Sequence, residues 1–385
     1  MSAADYEILA QTAGAQPLGP LGSVVRCAYA RAQNAIGELS LTYVPGTLDP
    51  ALLQPFNRLL VQRQIGATQP YIDLNVPWFI LNGPYRTLDD TGTELMRVDA
   101  VDPIGLILAT RNIAYNDYTS YSDKLAAYDD MLKALVRENC GALATDTDRD
   151  LTGSMNVAPD TTQAPVGVMT GMARQQLLDV LQDIANASAN DATTPTWLGF
   201  DVVLADQTTG LLEFQTFIGQ RGVDHRFPGG NPPVIFSDEQ GNLANVETAT
   251  LYGDSASFIY AGGAGVGSIR AVATATDAAL VARSPFGRRE KWLDASQVTD
   301  PDALVALAGS ELRNARPRRY LTGQVAEIDT TLRGVEWDFG DLATAVYQAE
   351  TFDVRVDKVA VTLEAGSGGG LVGRSQVYLR GESSV

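Results

Sequence analysis

Hydrophobic and polar positions alternate along much of the chain with a period of two, the signature of strands with one buried face. From Val24, VVRCAYA and GELSLTYV alternate on either side of a turn near Asn34–Gly37, which predicts a hairpin. RLLVQRQI, PWFILNGPYRTL and ELMRVDAV continue the pattern, the last two as a strand pair, with a short turn or helix at Asp49–Gln54 ahead of them. DPIGLILATRNIAY is apolar without a clear period and reads as a buried strand or as a short helix followed by a strand. Residues 1–20 are rich in Ala, Gly and Pro and are expected to form an arm or loop.

The period changes after Ser122. Leu125, Tyr128, Leu132, Leu135 and Val136 share one helical face, and Gly141 is placed to end that helix. The polar loop over 142–170 is long for a compact domain, so it is expected to be functional or to reach a neighbouring subunit as an arm. A second helix carries Leu177, Leu178, Leu181, Ile184 and Ala185, and WLGFDVVLAD with LLEFQTFIG predicts a hairpin over QTTG. Strands return from Pro233, with one well-punctuated helix over 300–316. Asp300 is its N-cap and Pro301 its first residue; Leu304, Leu307, Ala308 and Leu312 form its apolar face. Arg313 and Arg316 suit its C-terminal dipole, and Pro317 stops it. The last segment is a long hairpin around the glycines of 366–370. The expected class is α+β, mostly β: an N-terminal arm (1–20), a β-rich flank (21–120), an α+β insertion (121–231) and a second β-rich flank (232–385).

Composition narrows the function. A chain of 385 residues with 45% apolar content can bury two or three cores. Its net charge of −18 and only four lysines (Lys124, Lys133, Lys291 and Lys358) exclude a basic nucleic-acid-binding surface. Cys27 and Cys140 lie far apart with no CxxC pair, as for free thiols in a reducing compartment. No basic, apolar leader opens the chain and no run approaches the ~18 apolar residues of a membrane span, so folding in a cytoplasm is expected.

Candidate chemistry is sparse. His225 is the only histidine and stands beside Asp224 in a polar, turn-like segment, so zinc sites and a Ser-His-Asp arrangement lack their usual parts. Gly263, Gly265 and Gly267 precede a strand-like run where a dinucleotide loop would need a helix, which points to a hairpin turn. Glu327 with Asp329, and Glu336 with Asp338, are i, i+2 pairs in strand-like runs. They could form a polar face, a channel-lining face or a glycosidase pair. The stretch 146–153 alternates acids but lacks the closing Glu of a calcium loop. No catalytic, cofactor-binding or metal-binding residue is assigned.

Several segments fall in a recognisable order: AYDDMLKALVREN (127–139), FIGQRGVDHR (217–226), VIFSDEQGNL (234–243), YAGGAGVGSIR (260–270) and RREKWLDA (288–295), with a G-D pair at Gly340–Asp341. The set resembles the siphovirus ReqiPepy-type tail hub family over about residues 24–380. The resemblance implies two tube-type antiparallel β-barrel domains with the α+β insertion between them. It also implies a homotrimeric baseplate or tail-tip hub that closes the end of the tail tube and forms part of the DNA ejection channel. The implied partners are the distal tail protein, the tape-measure protein and a tail spike or fibre, with no stable nucleic-acid binding. The implied place is the virion, assembled in the host cytoplasm. With the last strand near Leu379 and one histidine, the chain looks like a hub without an attached peptidase or lysin domain. Two other readings stay open: a glycoside hydrolase acting on cell-wall or capsular polysaccharide, and the hub of a phage-like contractile injection system.

Overall fold

The alternating segments do form strands, and the computed structural model shows how they pair. It describes residues 5–66, 69–88, 92–114, 121–169, 171–189, 191, 194–229, 231–253, 255–296, 298–326, 328, 331–366 and 370–384. The first flank contains β1 (Asp5–Gln11), β2 (Pro17–Pro20), β3 (Val24–Ala32), β4 (Glu38–Tyr43), β5 (Arg58–Gln64), β6 (Tyr71–Ile72), β7 (Trp78–Leu88) and β8 (Glu94–Val101). The expected N-terminal arm is a correction: β1 lies in the sheet, antiparallel to β5 from Asp5↔Gln64 to Gln11↔Arg58, and β2 pairs with it. Tyr6, Ile8 and Ala10 are buried while Asp5 and Glu7 are exposed, so the segment carries the same period of two despite its composition.

Asp102 then caps the short helix α1 (Pro103–Leu106), accepting from the Gly105 N–H at 2.9 Å. The middle of the chain continues with β9 (Lys124–Ala127), α2 (Tyr128–Cys140), β10 (Met155–Val157), β11 (Val166–Met169), α3 (Leu177–Ala189), β12 (Leu198–Asp206) and β13 (Leu211–Ile218). Two expectations change here. Leu125 is an exposed residue of β9, outside the helix. The 142–170 segment folds back on its own chain: β10 runs parallel to β13, and β11 pairs antiparallel with β9. Asp129 and Asp130, at the start of α2, hold its far end through the hydroxyls of Thr161 and Thr162, each at 2.6 Å. The β12–β13 hairpin forms as expected, with Gly210 left-handed in its turn.

The second flank contains β14 (Ile235–Ser237), β15 (Leu243–Leu251), β16 (Phe258–Gly262), β17 (Val272–Thr276), α4 (Ala278–Ala282), β18 (Glu290–Asp294), α5 (Pro301–Asn314), β19 (Arg318–Val325), β20 (Leu342–Tyr347), β21 (Glu350–Ala365) and β22 (Leu371–Ser384). Asp300 caps α5 by accepting from the Asp302 N–H, and Leu304, Ala308 and Leu312 are buried against the small β17–β16–β18 sheet. The run containing Glu336 and Asp338 is a series of turns where strands were expected.

β21 and β22 tie the two flanks together. One half of β21 pairs with β20 and the other with β3; β22 pairs with β19 and reaches β1. On β21 the changeover from β20 to β3 falls at a register shift between Val356 and Lys358. The result is one 14-stranded sheet spanning both flanks, in which β21–β3–β4–β8–β7–β5–β1–β22 return to β21 through the β21–β22 pairing. One apolar core serves both flanks, from Tyr6 to Leu379. A second core gathers α2, α3, β12 and β13 and takes in Leu60, Ile72 and Phe79 from the first flank. Leu363 is fully buried in the shared core; Leu363→Ala is expected to lower unfolding stability by about 3 kcal/mol in a urea titration.

Candidate functional site

His225 faces Asp341 and not its neighbour Asp224. Its Nε2 lies 3.7 Å from the Asp341 carboxylate and its Nδ1 2.8 Å from the Pro232 carbonyl, while Asp224 is paired with Arg226 at 2.7 Å. The Asp341 carboxylate also accepts from the N–H groups of Val223 (2.6 Å) and Asp338 (2.7 Å). Gly222 leaves the room this requires, because a Cβ there would collide with the carboxylate. Asp341 thus clamps the 217–226 segment to the turn at Gly340. Burial pushes its pKa upward.

The other candidates are occupied by structural tasks. Glu336 caps a turn by accepting from the Leu332 N–H, and Asp338 accepts from Phe339. Glu327 and Asp329 lie outside the described residues. Gly263, Gly265 and Gly267 sit in the connection from β16 to the antiparallel β17. Arg149 of the acidic stretch donates to Asn139 Oδ1 at 3.0 Å, and Asp150 accepts from Thr152. Both cysteines are buried and free; burial raises the thiol of Cys27 and pushes that of Cys140 up to about 11, far from a reactive thiolate. Among the described residues no cluster of three His, Cys, Asp or Glu side chains is placed to share a metal, and no helix is long and apolar enough to cross a membrane. A cleft of about 1070 Å³ opens between α3, the Trp197 segment and α5, but its Glu311 carboxylate is tied to Lys291 at 2.6 Å.

The strongest polar cluster was not singled out from the sequence. Arg31 on β3 reaches Asp201 on β12 at 2.5 Å and Asp102 at 3.1 Å, and Asp201 is also paired with Arg221. All but Arg221 are essentially inaccessible to water. Arg221 lies over the rings of Phe217 and Phe339. Burial raises the Asp102 pKa to about 6 because a single arginine only partly offsets desolvation. Asp201 is held down at about 2, since two arginines outweigh its burial. The arrangement can anchor β12 on the large sheet, with every charged group in it paired. Parity was the available signal: Arg31 shares a strand face with Cys27 and Tyr29, and Asp201 interrupts an apolar run.

Residues 109–371, about two thirds of the chain, match the family described as Siphovirus ReqiPepy6 Gp37-like protein. The chain belongs to that family. All five segments quoted above, and the Asp341 clamp, fall inside the matched residues. No curated protein matches the sequence. Among solved structures, the chain is similar to the tail protein from Neisseria meningitidis MC58, at 13% identity and a TM-score of 0.60 over 98% of this chain and 97% of that one. It is also similar to the 43 kDa tail protein of prophage MuSo2 from Shewanella oneidensis, at 12% identity and a TM-score of 0.57 over 96% and 98%. Prophage tail protein gp18 from Listeria monocytogenes EGD-e follows at 11% and 0.51 over 98% and 95%. At these identities the likeness is one of fold, and it extends over nearly the full length of each pair.

The Asp102 carboxyl binds its proton more tightly in the folded than in the unfolded chain. The stability this contributes is fully present below about pH 4 and is lost as pH rises through about 6. Asp102→Asn is therefore expected to flatten the stability change between pH 4 and 7 in chemical denaturation. Asp201→Asn takes the carboxylate from Arg221 and leaves Arg31 with Asp102 alone, and is expected to cost about 3 kcal/mol.

Proposed function

We propose that the protein is a non-enzymatic structural component of a phage tail: a tail-tip hub in which three copies surround a channel. The carrying observation is the closed circuit of strand pairings, with a second strand set attached to the same long hairpin. We read the circuit as the first tube-type barrel. The set β14–β20–β21 with β22–β19–β15 is the second, its ends drawn together by Asn242, which bonds Ser237 and Ile235 across the turn. Two such units per chain would let three copies meet a six-fold tube. Membership of a siphovirus family and a fold shared with three tail proteins, two of them from prophages, support this reading.

On this reading the chain's partners are the distal tail protein, the tape-measure protein and a spike or fibre. It would be built into virions assembled in the host cytoplasm. The excess of 46 acidic over 28 basic side chains suits a wall past which DNA slides, because like charge repels phosphate. A ring needs heterologous contacts that close. Electron microscopy of tails bearing a small tag on this chain should show label at the tip only. Mass photometry of the isolated tip should count three copies. Label along the tube, or a copy number other than three, would contradict the proposal.

A further inference from the structure

The small sheet β17–β16–β18 buries one face under α5 and leaves the other open. Ile259, Ala261 and Ala273 point to the helix. By register, the open face carries three rows: Thr276, Phe258 and Glu290; Thr274, Tyr260 and Trp292; Val272, Gly262 and Asp294. Trp292 is 50% exposed yet closely held. Its indole lies where a Cβ on Gly262 would be, and Arg270 packs against it, 5.1 Å from the ring. Arg270 is itself fixed by the carbonyls of Gly262 and Gly263, each at 3.0 Å, and by a pairing with Asp294. On the other side Arg288 lies 3.8 Å over the Phe258 ring and donates to Glu290 at 2.6 Å and to the Tyr260 hydroxyl at 3.0 Å. The face is therefore a rigid aromatic centre flanked by two arginine–carboxylate pairs.

Two quantities decide what such a face can take. Its charge is balanced, Arg270 and Arg288 against Glu290 and Asp294, in a chain whose net charge is −18. Neither a polyanion nor a polycation gains from it. Its size is small: three strands of five residues make a face of about 16 by 14 Å, or about 220 Å². A stable protein interface needs about 800 Å² per partner. What fits is a neutral ligand a few rings long, with apolar faces to stack on Trp292 and Tyr260 and hydroxyls to bridge the donors and acceptors beside them. We propose that this face is a binding site for a neutral glycan, two or three pyranose rings of a surface polysaccharide. The proposal does not depend on the number of copies in the assembly.

The test titrates the full chain with cellohexaose, chitohexaose, maltohexaose and laminarihexaose, following Trp fluorescence and heat. Polygalacturonate and poly(dT) serve as charged comparisons. At least one neutral oligosaccharide should bind with a Kd at or below about 1 mM. Trp292→Ala should weaken that binding at least about tenfold while the chain keeps its cooperative unfolding transition, because half of the indole stands in solvent. Arg288→Ala should weaken it as well. Three results would overturn the assignment: no neutral oligosaccharide binding at about 10 mM, binding indifferent to Trp292→Ala, or preference for either polyanion. Retention of a virion protein through Trp292 without sugar binding would also overturn it and make the face a protein contact.

Discussion

Only a hairpin as long as this one, with strands of 16 and 14 residues, can serve two neighbours on each edge. That is the constraint on which this fold rests. β21 and β22 stay paired from Val354↔Gly381 to Ala365↔Leu371, with the shift between Val356 and Lys358. On the β21 edge β20 gives way to β3 at this break, whereas on the β22 edge β19 runs past it to Ser375, opposite Val361, before β1 meets Leu371. Val356, Val359, Val361, Leu363, Val377 and Leu379 are each at most 2% exposed. Each such side chain contributes about 1.5–3 kcal/mol by leaving water, so the hairpin is also the apolar spine of the shared core.

The α2–α3 segment with β12 and β13 is fixed to this body in two ways that do different work. Apolar packing against Leu60, Ile72 and Phe79 supplies attraction with little directional preference. The Arg31–Asp102–Asp201–Arg221 cluster supplies direction, since each charge is tolerable in the interior only when its partners are in place. Asn34 adds a neutral version of the same device, donating to the Leu198 carbonyl and accepting from the Phe200 N–H at the edge of β12. A similar logic holds the second flank, where Arg333 and Tyr29 converge on Asp73.

Local pattern made much of this legible. The α5 helix was readable to its cap because Asp300, Pro301 and the Leu304–Ala308–Leu312 stripe act within one helix. The hairpins β12–β13 and β21–β22 were readable because their turns are adjacent in sequence. What escaped depends on residues far apart. β11 finds β9 across some forty residues, and no feature of the 142–170 segment alone announces that pairing. β1 was obscured by the small residues around it, although Tyr6, Ile8 and Ala10 kept the strand period. The open face of the small sheet required register: Glu290, Trp292 and Asp294 alternate visibly in β18, but their place beside Phe258, Tyr260 and the two arginines does not.

Native-state hydrogen exchange of the intact chain tests the shared-hairpin account most directly. If one hairpin unites both flanks, amides of β3 and β5 and those of β19 and β20 should exchange through the same highest-energy opening as β21 and β22. Loss of protection over Arg318–Val325 and Leu342–Tyr347 in a separate, lower-energy opening, with the first flank still protected, would contradict it.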